Sequence, residues 1–242
     1  MINISAAKLS IMKALLIQNH PAEDFGAFET YLRTHNMDYS ICHAYQNTLF
    51  PTSADYDAVI VGGTPISIYD QAKPRWLKAE IAYLSEVVSM NKPYLGICGG
   101  GQLLASILGA EVKQNPAKEV GIYKISLTNT GQASLFFKGF PKEFSVFQFH
   151  GDTFDVPIGA ELLAEGIDCK NQAFSRGKAL AVQFHLEICS ATAGKWTDEY
   201  AAWLGSFHKS KTQIERECES EEIHMRTLSD LLIKNFLQVA RM

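Results

Sequence analysis

Short apolar runs alternate with helically spaced segments through the first ~110 residues. Residues 13–18, Lys-Ala-Leu-Leu-Ile-Gln, form a compact apolar run that reads as a buried parallel strand, with a loop at Asn19, His20 and Pro21. From 24 to 33, Phe25, Phe28, Tyr31 and Leu32 recur at helical intervals. Residues 39–44 read as a second strand. Residues 57–61 read as a third, stopped by Gly62 and Gly63. The pattern then predicts a helix over 73–90, a strand over 93–97 and a helix over 102–108 that Gly109 ends. This β-α-β-β-α-β-α order predicts an α/β fold: one domain with a mostly parallel, flavodoxin-like central sheet flanked by helices.

Beyond that point the pattern becomes strand-like, at 120–127, 144–149, 161–163, 172–175 and 179–184, and it is helical from 195. Near the C-terminus Ile223, Leu228, Leu231, Leu232, Phe236 and Val239 form an apolar row. The row has two readings: packing on the chain's own core, or contact with a partner or a second copy. The expected organisation is a domain over 12–205, a helical extension over 206–242 packed on it, and an N-terminal extension over 1–11. No repeat or linker divides the chain.

Composition narrows the class. Of 242 residues, 47% are apolar and 20% charged, which excludes a largely disordered chain. With 22 basic and 26 acidic residues the formal charge is −4, which argues against nucleic acid as a partner, because phosphate neutralisation needs a concentrated basic face. No apolar run reaches the ~18 residues of a membrane span, and no signal peptide is evident. The five cysteines, Cys42, Cys98, Cys169, Cys189 and Cys218, are widely spaced and form no CxxC pair. Neither a metal site nor a disulfide framework is expected, and a reducing cytoplasm fits best.

Cys98 carries the candidate chemistry. It lies between a strand and a helix in Gly96-Ile97-Cys98-Gly99-Gly100-Gly101-Gln102. That is the layout of a nucleophile elbow, which lifts one side chain above the sheet edge. Free N–H groups and the positive end of the following helix favour thiolate there. A phosphate-binding glycine loop is the competing reading, yet neither GxGxxG nor GxxxxGK[ST] is complete.

A thiol nucleophile needs a base and a group to orient it. Two histidines have a carboxylate two residues on: His150 with Asp152, and His185 with Glu187. In extended chain such residues share a face. The first pair is split by Gly151 and reads as a loop. The second ends an apolar strand, so His185 and Glu187 are the expected base and orienter. The Gly62-Gly63-Thr64-Pro65 turn could supply one backbone donor for a developing oxyanion, and Gly99 another.

Together these residues resemble the class I (triad) glutamine amidotransferases. The family pattern G-x-C-x-G-x-Q matches Gly96, Cys98, Gly100 and Gln102. Its Q-F-H-P-E matches Gln183, Phe184, His185 and Glu187, with Leu186 in place of proline. The segment from His150 to Phe154, and Asn171-Gln172-Ala173-Phe174, look like stand-alone proteins similar to the amidotransferase domain of GMP synthase. The resemblance covers about 12–205. It implies that Cys98 attacks a γ-glutamyl amide, that His185 moves the proton, that Glu187 holds the imidazole, and that Gly63 and Gly99 form the oxyanion hole. Gln102, with the backbone around Phe149, Gly151 and Asp152, would hold the amino-acid end of the substrate, and His150 would become pocket wall. The implied substrate is a small molecule, glutamine or another γ-glutamyl compound, with no cofactor. A separate synthetase subunit could accept the ammonia. A γ-glutamyl peptidase is the alternative, with Ile66, Ile68, Tyr69, Lys118 and Glu119 as candidate selectors of the leaving group. A non-catalytic binding protein is the third reading.

Overall fold

The structure is a computed structural model that describes residues 12–46, 49–205 and 207–242. The expected N-terminal extension over 1–11 lies outside the described residues.

Nine strands form one sheet: β1 (Lys13–Gln18), β2 (Asp38–His43), β3 (Ala58–Val61), β4 (Tyr94–Ile97), β5 (Val112–Leu127), β6 (Glu143–Phe154), β7 (Glu161–Glu165), β8 (Asn171–Arg176) and β9 (Ala179–Val182). Their order is β2-β1-β3-β4-β9-β8-β7-β5-β6. The first five strands in that order run parallel. From β9 outward the remaining pairings are antiparallel. The expected α/β fold, a parallel core sheet with helices on its faces and additional strands, is what forms.

Period-two alternation sends neighbouring strand residues to opposite faces. Ala14 and Leu16 of β1 and Ile60 of β3 join one apolar layer. Leu15, Ile17, Val59 and Val61 join the other. The second layer is covered by α2 (Arg75–Ser89) and α3 (Gly99–Ile107), through Leu77, Leu84, Leu103 and Leu104. The first is covered by α1 (Gly26–Thr34), α5 (Ser190–Glu199) and α7 (Lys211–Ala240). Two short helices, α4 (Asn129–Ala133) and α6 (Ala201–Leu204), fill turns.

Helix α7 packs on α5, β5 and α1. Ile214, Cys218, Met225, Leu228, Leu232 and Phe236 lie buried along one stripe, and Asn235 Nδ2 donates to Phe136 O and Lys138 O at 3.0 and 2.8 Å. No described helix is long and apolar enough to cross a membrane.

Two boundaries differ from expectation in ways that matter for the site. β6 runs to Phe154, so His150, Gly151 and Asp152 are strand, not loop. β5 begins at Val112 and pairs Glu119 with His150 and Gln114 with Asp152, across an irregularity between Gln114 and Glu119. The polar stretch from Lys113 to Lys118 has no alternation; its first two residues pair with Thr153 and Asp152, and the other four lie in the irregularity without a register partner. β9 ends at Val182 rather than 184. His185 is instead bridged to Phe147, its N–H donating to Phe147 O at 2.8 Å.

Candidate active site

Cys98 stands between β4 and α3 with φ +49° and ψ −109°. Such a backbone is uncommon for a residue with a side chain. It is held on both sides: Cys98 N donates to Val182 O at 2.8 Å, and Gln102 N donates to Cys98 O at 2.9 Å. The surrounding glycines are steric requirements. A Cβ on Gly100 would stand 2.3 Å from Val61 O, and one on Gly96 would stand 2.4 Å from Gly100 O.

The segment after β9, bridged to mid-β6 at Phe147, brings the partners to the thiol at the end of β4. His185 Nδ1 lies 2.5 Å from Glu187 Oε1, and Leu186 N donates to Glu187 Oε2 at 3.0 Å. The carboxylate therefore holds the proton on Nδ1 and leaves Nε2 free of it, and Cys98 is among the groups acting on the imidazole. Both His185 and Glu187 are buried. Burial alone would depress the imidazole, but Glu187 and Cys98 outweigh it and hold it well above its usual range. Gln183 Nε2 approaches Cys98 Sγ at 3.5 Å, and its Oε1 accepts from Gln102 Nε2 at 3.2 Å. The Trp196 ring sits edge-on to His185, with centroids 4.8 Å apart.

The second histidine pair does different work. His150 Nδ1 bonds the backbone O of Asp152 and Nε2 bonds Glu119 Oε2, each at 2.9 Å. Gln172 Nε2 adds a bond to the same Glu119 oxygen at 3.0 Å. Cys169 lies near, so Glu119, His150 and Cys169 present ligand atoms within 4.8 Å of one another. Thr153 Oγ1 at 3.2 Å is already bonded to the Cys169 sulfur, and burial pushes that thiol up to about 12.

A cleft opens above Cys98. Cys98, His185, Gln102, Phe149, Gly151 and Asp152 all line it. The Asp152 carboxylate accepts from Ser67 Oγ at 2.6 Å and from Tyr69 Oη at 3.1 Å, and its backbone O accepts from Gln102 Nε2 at 3.3 Å. Gly63 and Gly99 lie under the thiol. A Cβ on Gly63 would be 3.8 Å from Cys98 Cβ, and one on Gly99 would be 2.7 Å from Thr64 N. The Gly99 N–H belongs to the first turn of α3, where no intrahelical acceptor exists.

Of the candidate leaving-group selectors, Ile66 lines the cleft. Ile68 is buried in the core, and Glu119 is committed to His150. Lys118 Nζ donates to Trp203 O and lies 4.4 Å from the centre of the Trp203 ring.

Sequence reasoning missed several lining residues: Glu23, from the loop after β1, Trp196 from α5, Tyr200 at the junction of α5 and α6, and Trp203 from α6. Their spacing of four and three is a helical signal for one aromatic face. Phe149 packs against all three rings. Glu23 Oε1 accepts from Tyr200 Oη at 2.7 Å. Burial raises the Glu23 carboxyl, while the Tyr200 hydrogen bond and His185 oppose that rise.

A cysteine raised on a strand–helix elbow, with an imidazole held by a carboxylate just beyond a neighbouring parallel strand, defines a class: an α/β protein with a layout suited to a thiol nucleophile. A model of the glutamine amidotransferase class-I family matches residues 23–197, and the chain belongs to that family. A solved glutamine amidotransferase of Thermotoga maritima is 30% identical, covers 93% of this chain and 98% of its own, and superposes with a TM-score of 0.84. A Salmonella typhimurium protein named for its likeness to glutamine amidotransferases is 28% identical over 188 residues, 73% of this chain and 76% of that one. The glutamine-hydrolysing GMP synthase of Campylobacter lari is 33% identical over 181 residues, which are 68% of this chain and 33% of that protein. The chain thus spans about a third of that GMP synthase.

Proposed function

We propose that the protein hydrolyses a γ-glutamyl amide, with glutamine as the reference substrate, through a thioester on Cys98. The observation that carries the reading is the buried Cys98–His185–Glu187 grouping. His185 Nε2 takes the thiol proton as Sγ attacks the γ-carbonyl carbon. Negative charge develops on the carbonyl oxygen, where the N–H groups of Gly63 and Gly99 are the candidate donors; one such donor contributes about 3–4 kcal/mol. The C–N bond then breaks, the proton passes from His185 to the leaving nitrogen, and γ-glutamyl thioester remains. Water, deprotonated by His185, attacks the thioester and releases glutamate and free thiol. Glu187 keeps the imidazole in the working tautomer and stabilises its charged form.

At the other end of the substrate, Gln102, Phe149, Gly151 and Asp152 are the proposed contacts. The Asp152 carboxylate, already presented by Ser67 and Tyr69, is the acceptor available to an α-ammonium group. The test is glutamate release by purified protein from glutamine and from a γ-glutamyl peptide such as glutathione, with Cys98→Ser as control. Cysteine-dependent release from either supports γ-glutamyl hydrolysis and chooses the leaving group. Release that survives Cys98→Ser overturns it.

A further inference from the structure

Glu23 is a buried carboxyl group that the steps above do not use. It is 9% exposed, and it lines the cleft with Cys98 and His185. Its two oxygens are in unlike situations. Oε1 is anchored by Tyr200 Oη, which also lies 2.9 Å from His20 Nδ1. Oε2 has no hydrogen-bond partner among the described residues. It rests against Gly63, where a Cβ would stand 2.2 Å from it. Buried carboxylates in folded proteins normally have their acceptor capacity filled. One oxygen tethered and the other left open toward a cleft is the arrangement of a group awaiting a donor.

Position identifies the donor. The proposed contacts for the γ-glutamyl moiety, Gln102, Gly151 and Asp152, lie together, with Gln102 Nε2 bonded to Asp152 O. Glu23 lies near His185: Trp196, whose ring sits edge-on to His185, donates its Nε1–H to the neighbouring Ala22 O at 2.7 Å. A leaving nitrogen that takes its proton from His185 is thereby brought close to Glu23 as well. An amide nitrogen carries N–H groups that need an acceptor once water is expelled. An ester oxygen carries none.

Resting on the proposed hydrolysis, we propose that Glu23 is the leaving-group residue of this site: its open oxygen accepts a hydrogen bond from the N–H of the scissile bond and selects amides over esters. During acylation the S–C bond forms, the C–N bond breaks, and the thiol proton reaches nitrogen by way of His185. Glu23 gains no proton. It orients the nitrogen lone pair toward His185 and stabilises the positive charge that grows as nitrogen is protonated. Gly63 is glycine in part because any side chain there would displace this carboxylate.

The experiment compares kcat/KM for glutamine, or glutathione where the wild type prefers it, with that for glutamate γ-methyl ester. In Glu23→Gln the amide-to-ester ratio should fall roughly 10- to 100-fold, the effect of losing a hydrogen bond to a charged acceptor. Tyr200→Phe, which frees Oε1 and keeps the carboxylate, should move the ratio the same way by less, and it serves if Glu23→Gln misfolds by thermal unfolding. Equal loss on both substrates, or an unchanged ratio, overturns the assignment while leaving the hydrolase reading intact. Absence of Cys98-dependent turnover of every substrate in the wild type removes both.

Discussion

His150 Nε2 and Glu119 Oε2 lie 2.9 Å apart, both buried, and the other ring nitrogen of His150 is bonded to the backbone of Asp152. Both nitrogens are therefore committed, and His150 has none to offer Cys98. What it does is brace the strand segment whose next two residues line the cleft. His185, by contrast, spends only Nδ1 on its carboxylate.

The two histidines should separate in kinetics. His185→Ala should lower kcat by roughly 10²-fold or more, the scale of a lost general base. His150→Ala should act mainly on KM and on thermal stability, since it strands Glu119 in the core. Steady-state kinetics of the two variants checks this, and the opposite pattern would exchange their roles.

The imidazole also sets a pH dependence of stability. Burial lowers its proton affinity, Glu187 and Cys98 raise it, and the net is well above the usual range. A group raised on folding stabilises fully below its unfolded value of about 6.5 and loses that contribution as pH rises through the folded value. Glu187→Gln removes the leading cause of the rise, so unfolding temperature should depend less on pH from about 6.5 upward.

Glu80 gives a second, independent pH effect. This carboxyl of α2 is fully buried, and its oxygens make no hydrogen bond among the described residues. Burial pushes it up to about 8 from 4.5, with Asn19 opposing. The folded state then holds a proton that the unfolded chain has lost, so stability falls as pH rises between those values, by a few kcal/mol at about 1.4 per unit. Glu80→Gln should flatten the fall and stabilise the protein at pH 8, as read by denaturant unfolding at pH 5 and 8. An unchanged slope would assign the pH dependence elsewhere.

Helix α7 should respond to truncation on one face alone. Phe236 is wholly buried, and Phe236→Ala should cost about 3–5 kcal/mol. At about 2–4 °C per kcal/mol for a chain of this size, that is roughly a 6–20 °C fall in Tm. Ile223, 87% exposed on the same helix, should tolerate alanine within about 0.5 kcal/mol. Calorimetry of both variants checks the contrast.

Much of this arrangement was legible in the residues. The elbow at Cys98 announces itself because close backbone approach at Gly96 and Gly100 admits nothing larger. The His185–Glu187 spacing is readable because extended chain places alternate residues together. Glu23 was not readable: it sits in a loop, with no periodicity to say that Tyr200, 177 positions later, would meet it. The strand character of Lys113 to Lys118 and of Gly151 was hidden for a related reason. Lys113 and Gln114 are extended because they pair with Thr153 and Asp152, while Asn115 to Lys118 and Gly151 fall in the irregularity between the paired stretches, which depends on tertiary contact rather than on local pattern. The aromatic face of Trp196, Tyr200 and Trp203 did leave a signal, a four-then-three spacing, beyond the motifs that drew attention.

The positive φ of Cys98 sets folding against chemistry at one residue. Such a conformation costs on the order of 1–3 kcal/mol for any side chain larger than hydrogen. Glycine would relieve that cost and abolish the thiol. Selection for stability alone would therefore erode the nucleophile first. A screen for thermally hardened variants of this protein should enrich Cys98→Gly unless turnover is demanded at the same time.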